Sequence, residues 1–166
     1  MREELDALTA KRLRRIRRLL VSFIVLLVLS GVTAFPIKRE LDLGIGLVRF
    51  FRAFVQDWLY TVYQGVSDTW ERYPFIPYGT DWLAFGHIVI ALFFFGPLKE
   101  PVRNIWVIEA GMIACVLVFP LALIMGPIRG IPFWWQLVDC SFGVFGFLLL
   151  RWVRNEIRKV QAAQPG

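Results

Sequence analysis

Charge is scarce in this chain of 166 residues: Asp, Glu, Lys and Arg supply 19% of it, against about 25% in an average soluble domain. Cysteine occurs twice and histidine once. Two cysteines exclude a secreted disulfide framework, and their spacing fits no zinc motif. The P-loop, G-x-S-x-G, H-E-x-x-H and dinucleotide fingerprints are all missing. No dense set of metal ligands occurs either, so neither a metal nor a cofactor is expected.

What fills the chain instead is apolar: 57% of residues are hydrophobic and 16% aromatic. That content excludes disorder, which needs low hydrophobicity and high net charge. The net charge is +6, but its placement argues against nucleic acid. Arg2, Lys11, Arg12, Arg14, Arg15, Arg17 and Arg18 precede the first apolar run, and Arg151, Arg154, Arg158 and Lys159 follow the last. Basic flanks around apolar spans mark membrane orientation, whereas a basic stripe interleaved with stacking aromatics would mark nucleic acid.

The expected fold is an all-α membrane protein with four transmembrane helices, over about 19–37, 81–98, 105–127 and 132–151. It is expected to form a single polytopic domain over 1–166. The first run is uncharged and spans about 28 Å as a helix, close to a hydrocarbon core of roughly 30 Å. Both basic tails, 1–18 and 152–166, are expected on the cytoplasmic side. Lys99 and Arg103 place the second connection there too. The short turn holding Arg129 then faces outward. Trp134 and Trp135 fall at the outer end of the fourth span and Trp152 at its inner end, as in an aromatic belt. A second reading of the first span also stands: Val32-Thr33-Ala34 resembles a signal-peptide cleavage site, and cleavage there would leave three spans.

The first outer connection, about 42–72, reads as an amphipathic helix. Leu43, Leu47, Phe50, Phe51, Phe54, Val55, Trp58 and Val62 share one sector of a helical wheel, opposite Arg49, Arg52, Gln56 and Gln64. It either lies in the outer headgroup plane or packs across the mouth of a bundle. Prolines 74 and 77 end it, and Thr80 is the expected N-cap of the second span.

Ionisable groups inside a span are costly, at about 2.5–3.5 kcal/mol for Asp or Arg at a helix centre. Each is therefore a functional candidate with a structural alternative. Asp81 suits the first turn of the second span by its favourable interaction with the helix dipole. His87 lies about 9 Å deeper; it either bonds a neighbouring helix's carbonyl or transfers protons. Six residues of separation put Asp81 and His87 on different faces. Glu109 is expected to gain from the first-turn dipole or to pair with Arg103 or Arg151. Asp139 lies too deep to snorkel and is expected to be protonated or paired. Arg129 is its nearest basic candidate, giving a clasp between the outer turn and the fourth span. Gly143 and Gly146 follow on one face of that helix and allow close packing beside Asp139. Cys115 and Cys140 read as small packing residues.

Asp81, His87, Glu109, Arg129, Asp139 and Gly146 together resemble the pattern of the VanZ-like membrane proteins, over roughly residues 78–150. The match departs from that family where His87 is six residues from Asp81 and where Gly143 stands in place of an Asn. The resemblance implies a multi-pass protein of the bacterial inner membrane and cell envelope, in a family that includes glycopeptide-resistance proteins without an established reaction.

Two functions follow. In one, a polar pocket near the outer leaflet binds or modifies a lipid-linked envelope substrate, with His87 as acid or base, Asp139 as its partner, and Arg129, Asp81 and Glu109 as binding groups. In the other, the chain is a non-enzymatic membrane scaffold or assembly partner whose polar residues are structural. A third reading is an oligomeric pore. Reporter fusions at the two ends test the topology common to all three: both are expected to report the cytoplasmic side, and opposite sides would refute the four-span reading.

Overall fold

The structure, a computed structural model, describes residues 2–163, with side chains from residue 3 onward. Met1 and residues 164–166, the outermost parts of the expected tails, lie outside the described residues. Every regular element among the described residues is helical. In chain order these are α1 (Arg2–Ala34), α2 (Ile37–Gly44), a 3-10 segment (Ile45–Phe50), α3 (Ala53–Arg72), α4 (Tyr78–Phe93) and α5 (Phe95–Lys99). Then come α6 (Ile105–Pro120), a π-helical turn (Leu121–Met125), α7 (Gly126–Ile128) and α8 (Phe133–Ala163). Four stretches of the described residues are long and apolar enough to cross a membrane: Glu3–Ala34, Tyr78–Lys99, Ile105–Ile128 and Phe133–Ala163.

Proline sets several boundaries. The first span ends at Ala34 rather than Ile37, because Pro36 cannot continue the hydrogen-bond ladder, and α2 begins after it. Pro120 lacks an N–H and crowds the preceding turn, and the helix widens into the π-turn immediately after it before closing through α7. Thr80 is not an N-cap. The helix already starts at Tyr78, with the Gly79 and Thr80 N–H groups donating to the Ile76 and Pro77 carbonyls.

Two helices run well past their apolar runs. In α1 the basic residues 11–18 are helical, with Glu3 and Glu4 in the first turn, where the dipole favours acid. In α8 the helix continues to Ala163 because Leu150, Val153, Ile157 and Val160 recur at spacings of three and four and are all buried.

The expected single helix over 42–72 is instead three pieces. Gly44 and Gly46 are poor helix formers, and Phe51 and Arg52 adopt extended ψ values of 169° and 150°. The Gln56 side-chain amide holds this corner by donating to the carbonyls of Phe51 (2.7 Å) and Arg49 (3.3 Å). Leu43, Leu47, Phe50 and Phe51, all exposed, therefore precede α3 rather than extending its apolar face.

The chain divides into two compact units. One holds the described residues up to Leu26 and from Ala91 onward. Its centre is the antiparallel pair α6 and α8. A Cβ on Gly143 would lie 2.6 Å from the Cys115 carbonyl oxygen, and one on Gly146 would lie 2.8 Å from Cys115 Sγ. One on Gly111 would lie 2.9 Å from both Leu150 and Phe94. Phe94 in turn packs against Phe23 of α1, with ring centroids 4.7 Å apart. Ile16, Leu20, Leu150, Val153 and Ile157 are fully buried.

The second unit is Leu27–Ile90. Here α1 approaches α4 at Gly31, the only glycine in α1, where a Cβ would lie 2.7 Å from the Ala84 carbonyl oxygen. Lys38 of α2 pairs with Asp42 and lies over the Tyr63 ring of α3 at 5.3 Å. That hydrogen bond from Lys38 holds the Asp42 carboxyl below the ordinary carboxylate range.

Backbone oxygen cannot move aside for a methyl group as a flexible side chain can. Gly143→Ala is therefore expected to cost about 1–3 kcal/mol of overpacking. Gly86→Ala, where a Cβ meets nothing within 4 Å, is expected to be neutral or mildly stabilising. Thermal unfolding of the two detergent-purified variants checks this, and equal melting temperatures would refute the close approach.

Candidate functional site

Three antiparallel contacts fix the register of α6 against α8: Cys115 with Gly143 and Gly146, Gly111 with Leu150, and then Glu109 with Arg154. Leu150, Arg154 and Arg158 follow at intervals of four and share a helical face. Arg154 Nε donates to Glu109 Oε1 at 2.7 Å, and Arg158 Nη2 lies 3.4 Å from the same oxygen. Glu109 thus pairs with neither Arg103 nor Arg151. Arg103 is engaged by Glu100 at 3.5 Å, one turn away in sequence, and Arg151 lies off the face that Leu150 and Arg154 present. The carboxylate is held by two guanidiniums at the end of the apolar stretch, with about two-fifths of its side chain exposed.

The turn between α7 and α8 is closed differently from the expected clasp. Among the described residues no hydrogen bond or ion pair joins Arg129 to Asp139. Arg129 is exposed in the turn, its backbone N–H donating to the Met125 and Gly126 carbonyls. The closing group is Gln136, which is 3% exposed. Its Nε2 donates to the Ile131 carbonyl at 2.7 Å, and its side chain fills the space beside Gly126. A neutral amide does here what a buried charge pair would do only at a desolvation cost. Gly130, with φ of 68°, supplies the left-handed residue the turn needs.

Asp139 is half-buried one helical turn before Gly143, beside the exposed Val138 and near the exposed Phe142. No side chain among the described residues pairs with it.

In the second unit, His87 sits where α4 meets α1, its Cβ close to Gly31. Its Nδ1 is 2.9 Å from the Leu83 carbonyl oxygen of its own helix, not of a neighbour. A carbonyl only accepts, so Nδ1 carries the proton in that bond and Nε2 is left as the ring's acceptor when neutral. Asp81 lies in an open surface depression lined by the exposed Phe35, Tyr78, Trp82 and Phe85. Trp82 meets Tyr78 and Phe85 edge-to-face there, at 6.1 and 6.0 Å. No hydrogen bond or ion pair among the described residues links Asp81 to His87, as their six-residue separation implies.

Several residues were not singled out by sequence reasoning. Gln136 carried no signal beyond being polar near a span end. Gly31 had one: it is the sole glycine in its helix. Glu156 also had one. It is the only acid among residues 151–160 and follows Val153 on the apolar spacing that continues to Val160. It is buried, at 4% exposure, and accepts from Lys159 Nζ at 2.8 Å.

Comparison of the chain with family models, with curated proteins and with solved structures gives no match. The VanZ-like resemblance is thus supported by no family match and rests on the named residues alone.

A double-mutant cycle measures the Glu109 pair. Glu109→Gln and Arg154→Gln are each expected to destabilise the protein, with a coupling of about 0.5–1 kcal/mol, as suits a partly exposed pair. Zero coupling in thermal unfolding would show that the contact contributes no stability.

Proposed function

We propose that this chain is a multi-pass protein of the bacterial inner membrane, with both ends on the cytoplasmic side, acting as a non-enzymatic scaffold or assembly partner. The observation that carries this reading is Asp139. It lies within an apolar helix, half-buried, with no partner among the described residues. An Asp at such a depth costs about 2.5–3.5 kcal/mol on the insertion scale. A hydrogen-bond partner on an adjacent transmembrane helix offsets part of that cost and fixes which helix can dock. Phe142 and Phe145, exposed on the following turns, supply apolar surface for the same contact.

The other candidates fit a structural role. His87 is bonded within its own helix, Glu109 is neutralised by two arginines, and Gln136 closes the outer turn. None of them needs a substrate to be satisfied.

A second reading keeps the lipid-linked envelope substrate. It is favoured by the open aromatic depression that Asp81 lines, since exposed aromatic rings beside one carboxylate suit an apolar ligand carrying a polar head. On this reading His87 is the acid or base and Asp139 and Arg129 are further candidate groups; of the candidates only Asp81 lines the aromatic site itself.

Two substitutions separate the readings. Asp139→Asn keeps hydrogen bonding and loses the charge; Asp139→Leu loses both. Native-gel analysis of gently solubilised membranes is expected to show the assembled species retained in the first and depleted several-fold in the second. If both variants remain assembled and both lose cellular function, the scaffold reading fails and the chemical one stands.

A further inference from the structure

The geometry points to a binding site for a phosphate-bearing anion between the N-terminal part of α1 and the C-terminal part of α8. A cavity of about 220 Å³ lies there, lined by Leu8, Lys11, Arg12, Arg15, Glu156 and Lys159. Four cations face a single carboxylate.

The carboxylate organises the cations. Glu156 accepts from Lys159 Nζ at 2.8 Å, and the charges of Arg12 and Arg15 bear on it from α1. Arg15 is further oriented by the Trp152 ring, which lies 5.9 Å below its guanidinium. Long cationic side chains otherwise lose much rotamer freedom on binding, and this arrangement removes part of that cost in advance.

One donor remains unused. Arg12 Nη1 is buried and has no hydrogen-bond acceptor among the described residues. A guanidinium N–H hidden from water requires an acceptor, and Glu156 alone cannot satisfy four cations. A phosphate brings several acceptor oxygens and matches the planar fork of arginine. An ammonium ligand brings no acceptor for the Arg12 N–H, and a neutral one leaves the excess positive charge of the site unbalanced.

The depth of the site fits a lipid phosphate. Arg15 is four residues before the apolar run of α1, and Glu156 is four residues after the interfacial Trp152. Each offset is about 6 Å along a helix. The headgroup layer on each side of a bilayer is about 5–7 Å thick, by the difference between total and hydrocarbon thickness. A soluble phosphate has the same chemistry, so the experiment must distinguish the two sources.

The test uses the purified full-length chain in zwitterionic detergent. It is titrated with short-chain phosphatidylglycerol, with short-chain phosphatidylcholine and with inorganic phosphate, and bound ligand is read by native mass spectrometry. Phosphatidylglycerol is expected to bind in preference to phosphatidylcholine. Arg12→Gln/Arg15→Gln is expected to weaken that binding by about tenfold. Arg14→Gln/Arg18→Gln removes the same charge from exposed positions outside the cavity, and is expected to change it by less than about twofold. Inorganic phosphate binding with the same residue dependence, and without a lipid preference, would support the site and assign it to a soluble phosphate. Equal weakening by both double variants, or weakening by neither, would overturn it. Helical content is checked by circular dichroism, and Lys11→Gln/Lys159→Gln replaces the arginine pair if that variant fails to fold.

Discussion

The contact between Gly143 and the Cys115 carbonyl sets the geometry from which much of the larger unit follows. Helices approach this closely only where a side chain is missing, and the missing Cβ would lie 2.6 Å from a backbone oxygen. With α6 and α8 pinned there, their antiparallel course leaves little freedom further along. Leu150 must meet Gly111, and one turn later Arg154 must meet Glu109. The ion pair is thus a consequence of the register and not its cause. This order agrees with the energetics: a partly exposed pair contributes about 1 kcal/mol or less, whereas close packing in an apolar setting is the main source of helix association in membranes.

Three polar groups of the apolar helices are satisfied within the chain, each by a different means. Glu109 is met by arginines from the extension of α8, which lie beyond the apolar run and so keep water on one side. His87 turns back to its own helix, a bond that needs no neighbour and survives any movement of one. Gln136 uses a neutral amide to tie the turn at Ile131. Asp139 has no such partner among the described residues. Because the other three are internally balanced, their removal would chiefly affect folding, and it is Asp139 whose environment depends on what lies beside the chain.

How much of this was legible in the residues varies with the physics involved. The four apolar helices were, because long apolar runs with at most one charge inside them have few other uses. The end of the first span was misjudged by three residues because Ile37 is apolar, yet Pro36 controls the boundary through backbone chemistry rather than hydropathy. The segment over 42–72 is helical from Ala53 onward but broken before it for a similar reason: a wheel plot sees side-chain angles and not the extended backbone at Phe51 and Arg52. Within the candidate site, Glu109 was identified but its partners were not. Arg103 and Arg151 are close in sequence to the membrane edge, whereas Arg154 is selected by a register that only packing defines. The clasp between Arg129 and Asp139 was inferred from charge alone, and the turn is closed by an uncharged residue instead.

The contacts between the two basic extensions bear on topology independently of charge statistics. Arg15 of α1 lies over Trp152 of α8, and Arg12 and Arg15 act on the Glu156 carboxylate. Segments in direct contact cannot lie on opposite sides of a bilayer, so the chain between them must cross an even number of times. Four candidate spans lie along the chain between them, in keeping with the proposed topology. Ile16 and Leu20 of α1 are fully buried, as are Val153 and Ile157 of α8. The first helix thus contributes to the buried core of the larger unit through apolar packing rather than through charge.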